Sequence, residues 1–379
     1  MSKGAPARIL TGGAAAIALA VLAGCATQAL NSARRDFYQG HFDQASTALE
    51  RKLPKQDRVL FLMERGTVRL FSGDYENSAR DFVAAYDRLT ELETYSLSKG
   101  GASLLVNDSI QDFRGFPYER TLLHAFTALD HLALSNWEHA AVEARRLLDS
   151  LSPEKLGDYP DDAYSRYLAG FCLELIGDSS NARLQYEKAA ALASQVNLDP
   201  NTGRFGSSSS ASSNAAAELV CFVMMGRAPA PENMLYPDSG LYAEIYSGNT
   251  LLGRSQPLTD VADLASTSYQ KDAAREVAKS VTRIAVKETI AYQIEKDNEA
   301  LGALARIILI GLLERPDTRR WETLPRYLEV ARVPCPPDLT EFTISFRTGN
   351  GQEISRRTIA APLTRQGSTF VSFVRDIPR

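Results

Sequence analysis

From Ala29 to Ala193 apolar residues return at helical spacing, and one local pattern of small and aromatic residues recurs inside that run. It reads Gly40-His41-Phe42-Asp43-Gln44-Ala45 with Leu49; then Gly66 and Gly73-Asp74-Tyr75 with Phe82 and Ala85. It returns as Ala128 and Asn136-Trp137 with Ala140 and Ala144, and again as Gly170 and Gly177-Asp178 with Ala182, Tyr186 and Ala189. Two antiparallel helices cross closely only where small side chains meet, and aromatics fill the space between successive pairs. Such a chain stacks helical hairpins. Gly73-Asp74 and Gly177-Asp178 suit the turns, because glycine takes a left-handed backbone at little cost.

Gly40 and Gly73 are 33 residues apart, close to the tetratricopeptide period of about 34, and these segments resemble tetratricopeptide repeats. The period breaks between the second and third repeats at an insertion from Thr90 to Tyr118, rich in Gly, Ser, Asp and Asn, and a smaller one spans Ser152 to Asp162. Insertions in a solenoid tend to share one face, often the binding face. Lys99, Arg114, Tyr118 and Arg120 are therefore the candidate partner-binding residues. Pro117 suits a first helical turn and Glu119 favours the dipole of that helix, whereas Lys99 and Arg114 have no local task. Trp137 reads as a buried aromatic of the repeat.

Asn201 to Asn214 (NTGRFGSSSSASSN) reads as a flexible linker that separates a repeat domain, 25–200, from a mixed domain, 215–379. In the second part Glu218 to Met225 is a β-prone run, Leu241 to Tyr246 alternates before a turn at Ser247-Gly248-Asn249, and helical pattern returns from Tyr269 to Leu313. Pro334, Pro336 and Pro337 then break the chain. Glu341 to Arg347, Glu353 to Ile359 and Thr369 to Ile377 read as strands, the first two joined at Gly349-Asn350-Gly351. The expected class is α+β: an N-terminal α-helical tetratricopeptide-like solenoid, then a smaller β-sandwich-like domain with a helical insertion. Within that insertion Ala300 to Leu313 is apolar on nearly every face but too short to span a bilayer, so it reads as a core helix.

The N-terminus carries a different signal. Lys3 and Arg8 precede an apolar stretch, Ile9 to Leu22, that ends in Leu22-Ala23-Gly24-Cys25, which resembles the lipobox of bacterial lipoproteins. Residues 1–24 are thus expected to be a cleaved signal peptide, with Cys25 lipidated and the body anchored to a membrane through it. By resemblance to enterobacterial sorting, Ala26 directs the anchor to the outer membrane, facing the periplasm. The formal charge of -4, from 42 Lys and Arg against 46 Asp and Glu, argues against a nucleic-acid partner.

No HExxH, P-loop, GxSxG or Rossmann glycine fingerprint occurs, so no catalytic residue, cofactor, metal or small-molecule substrate is assigned. His124, His131 and His139 fall in one repeat and read as solvated or capping side chains in preference to a zinc site. Cys172 reads as a core thiol. Cys221 and Cys335 would be the pair to bridge in an oxidising periplasm, on weak support from spacing alone.

Phe116-Pro117-Tyr118-Glu119-Arg120 followed by His124 and Ala128-Leu129, then Ala141-Val142-Glu143-Ala144-Arg145-Arg146, and finally Asp317 to Pro325 with Ala331-Arg332-Val333-Pro334, resemble an uncharacterised family of Gram-negative tetratricopeptide lipoproteins. The resemblance covers about three quarters of the chain. It brings no known activity; the lipobox and the repeats together point to a scaffold whose repeat groove binds an unidentified envelope protein during envelope assembly or secretion. The alternative is a factor that binds peptidoglycan or regulates cell-wall enzymes.

Overall fold

The computed structural model describes residues 28–50, 57–99, 112–206, 217–228, 240–297, 303, 319–360 and 364–378. Four helical hairpins come first: α1 (28–38) with α2 (Phe42–Leu49), α3 (Arg58–Ser72) with α4 (Tyr75–Lys99), α5 (Pro117–Ala133) with α6 (Trp137–Ser150), and α8 (Ala163–Leu175) with α9 (Ser179–Leu192). A single turn, α7 (Pro153–Leu156), fills the connection before the last hairpin. Each hairpin turns in the same way. Gly40, Gly73, Ser135 and Gly177 have φ of 79°, 94°, 56° and 81°. The next N–H donates back to the carbonyl five residues earlier, as in His41 to Asp36, Asp74 to Arg69, Asn136 to His131 and Asp178 to Leu173, at 2.8–3.0 Å. Ser135 holds the left-handed position where the other three turns have glycine.

The small residues lie at the helix crossings. A Cβ on Gly66 would stand 2.5 Å from the Phe82 ring, and one on Gly170 would stand 3.0 Å from the Tyr186 ring. At these distances the aromatics rest on bare backbone, and any larger residue would push the helices apart.

Eleven strands are described. β1 (Leu198–Asp199) and β2 (Arg204–Phe205) form a small hairpin beneath α9, with Phe205 stacked on Tyr167 and Gly203 accepting from the Tyr167 hydroxyl at 2.8 Å. The first six residues of the Ser/Gly-rich stretch 201–214 are therefore in this structured turn, and the rest of that stretch lies outside the described residues. A five-stranded mixed sheet has the order β10 (Thr364–Gln366), β11 (Thr369–Arg375), β3 (Ala217–Met225), β7 (Tyr327–Cys335), β6 (Gln256–Asp260). A four-stranded antiparallel sheet has the order β5 (Thr250–Arg254), β4 (Leu241–Ser247), β8 (Glu341–Thr348), β9 (Glu353–Ala360).

Three layers result, because the central strands β3 and β7 are buried on both sides. Val220, Phe222, Met224, Leu328 and Val330 share a core with the helices; Leu219, Cys221, Val223, Ala331 and Val333 share one with Ile245, Phe342, Ile344 and Phe346 of the smaller sheet. The class is α+β, as expected. The prolines do not simply break the chain, since Pro334 lies inside β7 opposite Glu218.

Two helices depart from the expected bounds. α4 continues to Lys99, so the first third of the expected loop is helical, with the Thr94 hydroxyl donating to the Thr90 carbonyl. The last long helix, α10 (Val261–Asp297), begins eight residues before Tyr269, where Asp260 accepts from the Ala262 N–H at 2.8 Å and caps its start. Ala300 to Leu313 lies outside the described residues except for Ala303, and no described helix is long and apolar enough to cross a membrane.

Cys172, Cys221 and Cys335 are free and buried. Cys221 pairs with Ala331 and Cys335 with Ala217, four residues further along the ladder. At ~3.3 Å per residue the two positions are held ~13 Å apart, beyond the reach of a disulfide, so Cys221 and Cys335 do not bridge in this fold.

Candidate partner-binding surface

Of the four residues assigned to partner binding, the side chain of Lys99 lies outside the described residues, at the last position of α4. Arg114 is half-buried, and its carbonyl accepts from Arg120 Nε at 3.0 Å. Arg120 also reaches Glu93 Oε1 at 2.7 Å, so it ties the re-entering loop to α4. Tyr118 is 7% exposed and stacks on Phe116, which meets Tyr269 of α10 edge-on. The structure thus brings Arg114 and Arg120 together, and it places Tyr118 inside the protein.

Glu119, between them, joins the two halves of the chain. Pro117 opens α5, and Glu119 Oε2 accepts the Phe116 N–H at 2.7 Å, while Oε1 accepts the N–H of Trp321 at 2.6 Å from the far side of the sequence. Around this bond the segment Arg319–Pro325 runs along the first helices of the hairpins. The Trp321 indole N–H donates to Thr67 Oγ1 at 2.9 Å, and its ring packs between Phe82 and Phe126 at 5.7 and 5.3 Å. Arg34 of α1 donates to Glu64, to Glu322 and to the Arg320 carbonyl; Tyr38 donates to the Glu322 carbonyl, and Arg319 pairs with Asp57 at 2.8 Å. The segment stands out as a motif, but nothing in the local sequence signals its partners, which lie up to 288 residues away.

The five-stranded sheet fills the rest of the same face. Phe373 of β11 meets Phe71 and Tyr75, and Phe222 of β3 meets Tyr164, Tyr167 and Phe171 of α8. Beside it Arg332 of β7, almost wholly buried, forks between Glu174 of α9's partner helix α8 and Glu218 of β3, with both closest contacts at 2.6 Å. The inner face of the hairpins is therefore a packed interior and not an open groove. The outward second helices keep Val142, Leu184 and Leu192 exposed by 43–44%.

The histidines expected to be solvated or capping divide. His124 is buried, with Nδ1 2.9 Å from Glu143 and its ring against Tyr86, whereas His131 and His139 lie ring to ring at 5.3 Å. Among the described residues no group of three His, Cys, Asp or Glu side chains converges to hold a metal ion. Trp137, expected to be buried, is only half-buried at the start of α6.

Two buried carboxyls set a pH dependence. Burial pushes Glu119 up to about 7 despite its two N–H bonds, and burial pushes Glu329 of β7 up to about 7 although the Ser255 hydroxyl donates to it. A carboxyl with a raised folded-state pKa favours the fold most below its ordinary value, and that contribution is lost as pH rises through about 7. Glu143 and Glu218 act oppositely: burial works against their ionisation, but His124 and Arg332 hold them below the ordinary range. The melting temperature is thus expected to fall between about pH 5 and about pH 8. Glu329→Gln keeps an acceptor for Ser255 and should make that fall shallower. A pH profile identical to the parent's would show that Glu329 ionises freely.

No protein-family model matches the chain, and no curated protein does. Among solved structures, the crystal structure of a Rap protein complexed with competence and sporulation factor is similar over 43% of this chain, at 18% identity and a TM-score of 0.29. The similar region spans 39% of that protein's length.

Proposed function

We propose that the chain is an exported lipoprotein, cut before Cys25, acylated there and held at the outer membrane facing the periplasm, where it serves as a protein-binding scaffold in envelope assembly or secretion. On this reading the hairpins form a tetratricopeptide-like solenoid and the two sheets a sandwich-like second half. The protein acts by binding and not by catalysis. The observation that carries the proposal is the closeness of the lipobox to the body: only Ala26 and Thr27 separate Cys25 from residue 28, which already belongs to the helix α1. Three residue steps reach ~10 Å at most, so three acyl chains on Cys25 would hold the helical body against the bilayer surface. The filled inner face directs a partner to the outer helices, the edges of the sheets or the insertion.

Cys25→Ser should lose palmitate labelling and move from the membrane pellet to the soluble periplasmic fraction. If it still pellets after a carbonate wash, the anchor is elsewhere, and Ala300 to Leu313 becomes the segment to delete. The scaffold half is tested by affinity capture of the lipidated protein from detergent-solubilised envelopes. A stoichiometric protein partner is expected, and recovery of the protein alone would argue against a scaffold.

A further inference from the structure

Four strands form the edges of the two sheets, and three of them are blunted in the way that guards against unwanted pairing. β10 has three residues. β5 has five, with Gly253 and a register shift against β4; β6 has five, with Pro257 and a register shift against β7. β9 differs. It runs eight residues, Glu353 to Ala360, without proline, glycine or lysine; its ladder with β8 shifts register only near its start, at Phe346/Arg347, is regular from Ser355 to Ala360, and among the described residues β9 pairs with β8 alone.

Beside that strand lies a cleft of about 340 Å³ between β9, β11 and the turns of the first hairpins, where Phe42, Tyr75, Ile359 and Phe373 face one another. It continues as a wider hollow of about 730 Å³ along Ile354 to Ala360, facing Asp376 to Pro378. The register divides the side chains of β9. Ile359 packs toward the core opposite Phe342, while Arg356 lies opposite Ser345 on the outer side, 4.7 Å over the Tyr246 ring, near an Ile354 that is 55% exposed. Arg357 already donates to the carbonyls of Ile377 and Arg375. Arg356 has 43% of its side chain in solvent, and Glu353 stands 4.0 Å away.

We propose that the outer edge of β9 is a strand-addition site that receives an extended segment of a protein partner, with apolar side chains turned into the cleft and a carboxylate turned outward to Arg356. This rests on the scaffold reading and names the surface it would use. An added strand continues the ladder and places alternate side chains on opposite sides. The aromatic cleft selects apolar residues at one parity, and the arginine selects an acid at the other. A second copy of this chain fits poorly, because fully overlapped antiparallel pairing of two β9 strands sets Arg356 opposite Arg357 and like charges repel there.

The test selects random dodecapeptides displayed on phage against the purified full chain, then measures a synthetic peptide from the winners. Enriched peptides should alternate apolar residues with Asp or Glu. Arg356→Glu should weaken binding about tenfold or more, while Arg183→Glu on the outer face of α9 leaves it unchanged. N-methylation of the peptide should abolish binding at amides of one parity and spare those of the other, a readout that needs no variant of the protein to fold. Peptides that bind without alternation and without sensitivity to Arg356→Glu overturn the β9 site and leave a scaffold acting through another surface. Failure to select any peptide counts against the scaffold reading as well. A dimer that Arg356→Glu dissociates assigns the edge to a second copy and overturns the proposal.

Discussion

Trp321→Ala is expected to destabilise the fold by about 3 to 5 kcal/mol, the cost of truncating a buried aromatic. Trp321 is 1% exposed, its ring lies between Phe82 and Phe126, and its two N–H groups bind Glu119 and Thr67. Truncation therefore opens a cavity and leaves the Thr67 hydroxyl short of a donor, in the place where strap and hairpins meet. Trp137→Ala, at a half-buried position, should cost distinctly less. Urea denaturation of the two variants ranks them. A loss under about 1 kcal/mol for Trp321→Ala would mean that the strap adds nothing to the core.

Arg332→Ala should be of similar size, about 3 to 5 kcal/mol, because it breaks a buried ion pair from one side. The guanidinium is 1% exposed and meets Glu174 and Glu218, with the Tyr186 hydroxyl 3.5 Å away. Removing it leaves the Glu218 carboxylate, which is only 13% exposed, short of its buried partner and paired with the more exposed Arg204 at 3.0 Å, whereas Glu174 at 33% can turn toward water. Adding Glu218→Gln to Arg332→Ala should therefore recover part of the loss. Arg332→Lys should not restore the parent, since an ammonium cannot fork to two carboxylates in fixed geometry. If the double variant is as unstable as the single one, the carboxylate left behind is not the cause.

How much of this was legible in the sequence depends on the range of the interactions. The hairpins were, because Gly66 under Phe82 and Gly170 under Tyr186 write their contacts into a short period. Ser135 was not, because nothing in its type announces a left-handed backbone; only its place before Asn136-Trp137 could have done so. Strands β3, β4, β8, β9 and β11 were legible from runs and turn residues. β7 was not: it is buried on both faces and so lacks alternation, and it carries Glu329, Arg332 and Pro334, each of which reads as a strand breaker until its partner is seen.

The candidate site shows the same limit. Phe116 to Arg120 and Asp317 to Pro325 stand out as motifs, yet nothing in either segment points to the bond between Glu119 and Trp321, 202 residues apart. Beside that bond Tyr118 stacks on Phe116 and Arg120 holds the Arg114 carbonyl and Glu93, structural contacts at positions where the loop suggested binding.

The inner face of the hairpins is closed by the chain's own strap and sheet. Native-state hydrogen exchange at the amides of Trp321 and Glu322 tests it most directly, since those N–H groups donate to Glu119 and Glu64. Both are expected to exchange only with global unfolding, at the same free energy as the slowest amides of α3 and α5. Exchange of Trp321 and Glu322 through a smaller, local opening while α3 and α5 stay protected would show a strap that lifts away, and the inner face would then be a groove that the chain can vacate.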